Sequence, residues 1–161
     1  MKTIYTISND KKTLIAERSF TAPLEKVWRA WTDNTMLEKW WAPAPWQAHT
    51  KSFDFSEGGA WHYFMEGPAG EKQYCLNKYL IIVPLASFTA IDYFCGEDGT
   101  INEELPSSHW DLQFDIEGEV TKVIVTTTYA SEKDLQTVIE MGMKEGFNQG
   151  LDQLETLLQN N

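Results

Sequence analysis

The side chains that could do acid–base or metal chemistry are few in this sequence, and they are scattered. His49, His62 and His109 lie far apart, and the last two fall on the expected outer faces of strands. Neither an HExxH pair nor a cysteine–histidine cluster at metal-ligand spacing occurs, so the sequence predicts no metal and no cofactor. Asp92 and Tyr93 are neighbours on one predicted strand, so at most one of them faces the interior. That residue could act as an acid or a base, but we expect no catalytic residue.

Three glycines near the C-terminus are the most informative feature for a binding site. Gly142, Gly146 and Gly150 recur every four residues and therefore share one side of a predicted terminal helix. Each glycine in a helix interior costs roughly 1 kcal/mol relative to alanine. Two interpretations remain open: either the helix must lie very close to the sheet, or the missing side chains leave a cavity for a ligand.

A set of aromatic residues is expected to face the same space between sheet and helix. The set consists of Trp41, Phe55, Trp61, Tyr63, Tyr79, Tyr93, Trp110 and Phe147. Together with Met143, Gly146 and Gly150 of the terminal helix, they form the predicted ligand-binding residues. Aromatic side chains at strand period either fill an ordinary core or line a cavity, and buried tyrosine and tryptophan need a partner for their polar group. A cavity of this kind suits a polycyclic compound, a flavonoid-like compound or a lipid.

The stretch "LEKWWAPAPW", residues 37–46, concentrates three tryptophans on a segment interrupted by two prolines. We expect Trp41 to point inward as a cavity wall and Trp46 to lie over the cavity entrance. Two alternatives stay open. All three tryptophans could cover the end of the core, or they could form a patch that binds a partner protein.

The elements that must position these residues follow from the hydrophobic periodicity. Residues 11–20 alternate and predict a strand. A helix begins at Pro23, and its apolar residues recur at the spacing of one buried face. These residues are Leu24, Val27, Trp28 and Trp31. Asp33 is expected to cap a second short helix, and Pro43 to stop it.

After the stop at Pro43 the period changes to two, which predicts a series of strands. The strands are expected over 49–55, 60–66, 72–83, 87–94, 109–118 and 119–130. In the fifth of them, alternation places Trp110, Leu112, Phe114 and Ile116 inward. Ser131 is expected to cap one long terminal helix. The predicted fold is α+β: a curved antiparallel sheet wrapped around a long C-terminal helix, with two short helices after the first strand.

The bulk properties narrow the classes of function. A chain of 161 residues predicts a single domain, residues 1–161. The formal net charge of −11 argues against binding nucleic acid or anionic membrane surfaces. No apolar run approaches the roughly 18 residues that would span a bilayer, so membrane insertion is not expected. No apolar stretch of signal-peptide length occurs at the start, and Cys75 and Cys95 suit reduced thiols, so we expect a cytoplasmic protein.

Three blocks of the sequence, in this order, resemble one known family. "TAPLEKVWRAWTDNTMLEKWWAP", then "FDFSEGGAWHYFMEGPAGE", then the glycine-containing terminal helix are similar to proteins related to the activator of the heat-shock chaperone ATPase. That family belongs to a superfamily with birch-pollen-allergen-like and START-like lipid-transfer proteins. The resemblance implies a helix-grip fold with a cavity between sheet and helix. The chain departs from the family pattern because it lacks a glycine near Asn77 and an acidic residue near Ile81.

These observations lead to one predicted function and two alternatives. We expect a non-catalytic protein that binds a small apolar or amphipathic molecule in a central cavity. The first alternative, suggested by the family resemblance, is an interaction module like a chaperone cofactor in a stress response, with a chaperone or another protein as its partner. The second alternative is an enzyme like a cyclase or a hydrolase that uses the same cavity.

Overall fold

The structure, a computed structural model, describes residues 2–160, which form one eight-stranded sheet and four helices. The strands are β1 (Ile4–Ile7), β2 (Thr13–Phe20), β3 (Gln47–Phe53), β4 (Ala60–Glu66), β5 (Lys72–Val83), β6 (Ser87–Cys95), β7 (Ser108–Glu117) and β8 (Val120–Thr128). The helices are α1 (Leu24–Thr32), α2 (Asn34–Trp40), α3 (Glu132–Glu140) and α4 (Met143–Gln159). The curved antiparallel sheet with a C-terminal helix confirms the predicted helix-grip α+β fold.

The sheet has the strand order β1-β2-β8-β7-β6-β5-β4-β3, and every neighbouring pair is antiparallel. Strands β3 to β8 follow one another as a meander, as the sequence predicts. Helices α1 and α2 carry the chain from β2, near one edge of the sheet, to β3 at the other edge. These two helices therefore cross the sheet and pack on the same core as α4.

The helix starts follow from local side-chain chemistry. The Asp33 carboxylate accepts a hydrogen bond from the backbone N–H of Thr35 at 2.8 Å, which confirms the predicted cap of α2. Ser131 Oγ accepts from the N–H of Asp134 at 3.1 Å and caps α3 in the same way. Helix α2 ends at Trp40, and Pro43 lies three residues later, where a helix could no longer form its backbone hydrogen bonds.

The prediction of one long terminal helix was wrong, because the chain breaks between α3 and α4. Gly142 has a φ of 89°, in the left-handed region that residues with a side chain rarely adopt. Its backbone turns the chain, and α4 starts at the next residue. The apolar periodicity continues through this break, which is why the sequence pattern alone did not reveal it.

At the margins of the sheet, one strand was missed and one expectation needs correction. The four-residue edge strand β1, which pairs with β2, was not predicted; Ile4 and Ile7 are both exposed, so no buried alternation marks it. Ile116 was expected to face inward, but it lies next to the last residue of β7 and is 63% exposed. None of the helices in residues 2–160 is both long and apolar enough to span a lipid bilayer.

The hydrophobic core has a large and a small part. The large part lies between the sheet and helices α1, α2 and α4, and its most deeply buried large side chains include Trp40, Trp61 and Leu154. The small part lies beneath α3, where Leu135 and Val138 pack with Leu14 and Tyr129. The space between the two parts holds the candidate site.

Candidate functional site

A cavity of about 240 Å³ lies between strands β4 to β7, the start of α4 and the segment that follows α2. From the sheet it is lined by Tyr63, Met65, Cys75, Asp92, Phe94 and Trp110. From the helical side it is lined by Trp41, Pro43, Val138, Met143, Gly146 and Phe147. The lining also includes Gln73 and Met141, which are exposed, so the cavity opens to solvent beside the α3–α4 junction.

The cavity wall is built from aromatic rings that pack against one another. The rings of Trp41 and Trp110 have centroids 6.0 Å apart, and Phe147 lies 6.3 Å from the first and 5.8 Å from the second. A larger depression of about 420 Å³ between the β1–β2 turn and α3 has no aromatic residue in its lining. The aromatic cavity is therefore the better candidate for an apolar or amphipathic ligand.

An inner chamber of about 30 Å³ lies deeper in the core, and it has room for about one water molecule. Trp61, Asn77 and Tyr79 are among its lining residues. Trp41 and Trp110 line both spaces and therefore stand between the chamber and the cavity. The chamber is far too small for an organic ligand unless these indoles move.

The polar groups of the cavity wall are mostly paired within the protein. Trp41 Nε1 donates to the Tyr63 hydroxyl at 2.8 Å, and Trp110 Nε1 donates to Ser108 Oγ at 2.8 Å. Burial raises the pKa of Tyr63 well above its ordinary value, and it raises the pKa of Tyr129 to about 12. Both phenols therefore stay neutral at physiological pH.

Asp92 is the exception, because its carboxyl group has no partner. The sheet register places it between Asn77 of β5 and Ser108 of β7. Within residues 2–160, no hydrogen bond or ion pair reaches the carboxyl group. Burial alone raises the pKa of Asp92 from 3.8 to about 7. The lining contains no lysine, arginine or histidine that could compensate its charge.

The thiol of Cys75 lies close to this carboxyl group. Burial raises the pKa of the Cys75 thiol, and the charge of Asp92 raises it further. A thiol with a raised pKa is a poor nucleophile at neutral pH, so Cys75 offers no reactive group to the cavity. In the part of the chain that the structure describes, no group of three or more histidine, cysteine, aspartate or glutamate side chains is placed to hold a metal ion.

The structure brings most of the predicted ligand-binding residues to these two spaces. Trp41, Tyr63, Trp110, Met143, Gly146 and Phe147 line the cavity. Trp61 and Tyr79 line the inner chamber instead. The predicted role of these residues in binding stays a prediction, but their positions form a continuous wall through the two indoles that the spaces share.

Three predicted residues lie elsewhere. Phe55 follows β3 and packs on Tyr79, with ring centroids 4.7 Å apart, and it lines neither space. Tyr93 also lines neither space, because it points to the sheet face opposite to that of Asp92. Gly150 is buried against the end of α2 rather than beside the cavity.

The three glycines prove to have separate structural roles. A Cβ atom at Gly150 would lie 3.2 Å from the backbone oxygen of Trp40, so the close-packing interpretation holds there. A Cβ at Gly146 would meet only Pro43 Cγ, at 3.6 Å, and Gly146 borders the cavity. Gly142 provides the left-handed turn between α3 and α4.

The three tryptophans of residues 37–46 also lie in different environments. Trp40 is fully buried and donates from Nε1 to the backbone oxygen of Ala30 at 2.9 Å, whereas Trp41 lines the cavity. Trp46 lines neither space, so the expectation that it covers the entrance was wrong. Residues 43–46 form a tight turn, in which the N–H of Trp46 donates to the backbone oxygen of Pro43 at 2.9 Å.

The predicted set of ligand-binding residues did not include several residues that line the cavity. They are Pro43, Met65, Gln73, Cys75, Asp92, Phe94, Pro106, Ser108, Tyr129, Val138, Met141 and Gly142. The strand period places Met65 on the same face as Tyr63, and Cys75 on the same face as Tyr79. The period alone could therefore have added Met65 and Cys75 to the predicted set. Asp92 was weighed against Tyr93 as the inward residue, and only the register of β6 decides between them.

Comparison with known proteins places these observations in a family context. The family model described as Activator of Hsp90 ATPase homolog 1-like protein matches residues 21–159. The crystal structure of protein Ms6760 from Mycobacterium smegmatis is 33% identical, with 97% of this chain and 96% of that chain covered and a TM-score of 0.89. A solution structure from Staphylococcus epidermidis is 31% identical, with 96% and 94% covered and a TM-score of 0.85. Among curated proteins none matches this chain.

A more distant likeness shows the fold alone. The crystal structure of CalU16 from Micromonospora echinospora is 21% identical over 98% of this chain and 87% of that chain, with a TM-score of 0.68. The same architecture is therefore retained at low sequence identity, and its sites have to be argued from the residues of each chain.

Proposed function

The chain belongs to the family of Activator of Hsp90 ATPase homolog 1-like proteins, and from that premise we propose that it binds a small amphipathic molecule in the 240 Å³ cavity. The observation that carries the proposal is the cavity itself, which aromatic rings surround and which opens beside the α3–α4 junction. The fold is one that commonly binds ligands. A site of this kind combines a largely apolar wall with a few polar groups that orient the ligand.

The volume narrows the class of ligand. An engineered cavity of about 150 Å³ in another protein holds benzene, and typical drug-sized sites begin at about 300 Å³. A cavity of about 240 Å³ therefore suits a compound with one or two rings. A sterol or a long fatty acid would require the walls to move. The cavity volume therefore favours a compact aromatic ligand over the flat polycyclic compounds that the sequence also suggested.

The missing side chain at Gly146 keeps part of this space open. Its Cβ position has only one neighbour within 4 Å, so a longer side chain would extend into the cavity. We expect Gly146→Leu to abolish ligand binding while the fold is retained. Glu145→Leu is the matched control, because it adds the same side chain at the preceding, exposed position of α4.

The test is a thermal-shift and tryptophan-fluorescence screen of the purified protein against compounds with one or two rings. A ligand at ten times its Kd stabilises the native state by about 1.4 kcal/mol, which raises the melting temperature by about 4 °C. Trp41 and Trp110 line the cavity, so their emission should change on binding. The proposal fails if no compound stabilises the protein, or if Gly146→Leu binds the same compounds as the Glu145→Leu control does.

The interaction module has one observation in its favour. The tip of the β5–β6 hairpin exposes Leu80, Ile81, Val83 and Leu85, with exposed fractions of 39–61%. Apolar residues grouped in this way can mark a contact surface for another protein. An exposed apolar surface alone does not specify a partner, whereas the aromatic cavity specifies a class of ligand, so we rank ligand binding above protein interaction.

A further inference from the structure

The cavity presents one unsatisfied group, the carboxyl group of Asp92. Buried charges in proteins are normally paired or hydrogen-bonded, because an isolated buried charge is strongly unfavourable. Asp92 is half-buried and has neither kind of partner among residues 2–160, whereas the indole N–H groups of Trp41 and Trp110 in the same wall are paired. A carboxyl group that lines an open cavity and lacks an internal partner is suited to receive one from a ligand.

Within residues 2–160, the ionisable groups around Asp92 provide no positive charge that could neutralise its carboxylate. The ionisable groups near it are Tyr63 from β4, Cys75 from β5, Cys95 from its own strand and Tyr129 after β8. Burial raises the pKa of each of them, so all four are neutral at pH 7. From the helices, the cavity receives only uncharged residues, among them Val138, Met143 and Phe147.

From this arrangement we infer that the ligand is an amine whose protonated nitrogen binds the Asp92 carboxylate while its ring packs among Trp41, Trp110 and Phe147. This inference rests on the proposed function and specifies its class of ligand. A protonated amine would form a charge-assisted hydrogen bond with the carboxylate. Aromatic ring faces also attract cations. The net charge of −11 favours the approach of a cation to the protein.

The chemistry of the wall discriminates against other ligands of the same size. A carboxylate ligand would place a second negative charge beside Asp92, which the apolar surroundings would not screen. An alcohol could donate a hydrogen bond but would lack the charge. A ligand carbonyl could accept from Asp92 only while Asp92 is protonated, so its binding would weaken as pH rises. Binding of the amine should become tighter over the same range, because it requires the ionised carboxylate.

The test compares three probes of equal length: phenylpropylamine, phenylpropanol and phenylpropanoate. Isothermal titration calorimetry at pH 8.5 should show that the amine binds at least about tenfold more tightly than the alcohol, since hydrogen bonds to charged groups are the stronger ones. The amine stays protonated up to about pH 9. Its affinity should rise about tenfold between pH 6 and pH 8.5, because Asp92 ionises around pH 7.

Two variants assign the effect to the cavity. Asp92→Asn should abolish the preference for the amine and leave the affinity for the alcohol nearly unchanged. Asp115→Asn removes an exposed carboxylate on the outer face of β7 and should preserve the preference. This control also accounts for cation attraction to the acidic surface.

The outcomes separate this inference from the proposed function. Equal affinities for amine and alcohol, or an amine preference that survives Asp92→Asn, overturn the inference while cavity binding stands. Affinity for the amine that stays constant or falls as pH rises also overturns the inference, because an ammonium group cannot accept a hydrogen bond from a protonated Asp92. Absence of binding by all three probes and by the compounds of the wider screen counts against both.

Discussion

Replacing Asp92 with asparagine should stabilise the protein, and the gain should grow as pH rises from 5 to 8. Burial raises the pKa of Asp92 from 3.8 to about 7 in the folded state. Between these two values the folded protein binds a proton that the unfolded chain has released. The free energy of unfolding of the wild type therefore falls as pH rises through this window, and it levels off above pH 7. Asparagine has no such proton, so its side chain escapes this loss.

The magnitude follows from the width of the window. From pH 5 to pH 7 the stability lost through Asp92 is 1.36 kcal/mol for each pH unit, which gives about 3 kcal/mol as an upper value. The cavity is open to solvent, and water there would solvate part of the charge. We therefore expect the stability difference between Asp92→Asn and the wild type to grow by about 2 kcal/mol from pH 5 to pH 8.

Urea unfolding at pH 5, 6, 7 and 8 would measure this difference. All other ionisable groups are common to both proteins, so their contributions cancel in the comparison. Asp115→Asn, which removes an exposed carboxylate, should show no such trend. A stability difference that is constant from pH 5 to pH 8 would refute the idea that Asp92 is held in the folded protein as a partly protonated, unpaired acid.

Two further predictions concern the glycines and a helix cap, and urea unfolding at pH 7 would measure both. Gly150→Ala should destabilise the protein by about 1–3 kcal/mol, because its Cβ would press on the backbone oxygens of Trp40 and Trp41 at 3.2 and 3.3 Å. Gly146→Ala should instead stabilise the protein by about 0.5 kcal/mol, because its Cβ has space and alanine favours the helix. Equal effects of the two substitutions on stability would contradict the separate roles of the two glycines. Ser131→Ala should cost about 1 kcal/mol by removing the cap of α3, and an unchanged stability would show that solvent replaces the cap.

The fold was predictable from the sequence because local signals and long-range packing agree over most of the chain. The cap at Asp33, the stop at Pro43 and the alternation of Trp61 and Tyr63 each indicate an element that the structure contains. The break at Gly142 was not predictable in the same way. A glycine at helical spacing is compatible with a continuous helix and with a left-handed turn, and only the packing of α3 onto the small core beneath it decides between them.

The site was less predictable than the fold, because it depends on how the strands pair in register and on where each strand ends. One residue of shift exchanges the inward side of a strand for the outward side, so the positions of Asp92 and Tyr93 depend on how β6 pairs with its neighbours. Phe55 shows the other difficulty. It continues the alternation of β3 but lies beyond the end of that strand, where it packs against Tyr79 and Phe88 as ordinary core.

The cavity persists in the fold because α4 is fixed at a point away from it. Gln153 donates from Nε2 to the backbone oxygens of Trp40 and Ala42, both at 2.9 Å, and its Oε1 accepts from the N–H of Ala44 at 2.8 Å. Gly150 permits the close approach that these bonds require. With its middle held against the end of α2, the helix cannot shift toward the sheet to fill the space beside Gly146. The same spacing of glycines thus both docks the helix and leaves the space where we propose that a ligand binds.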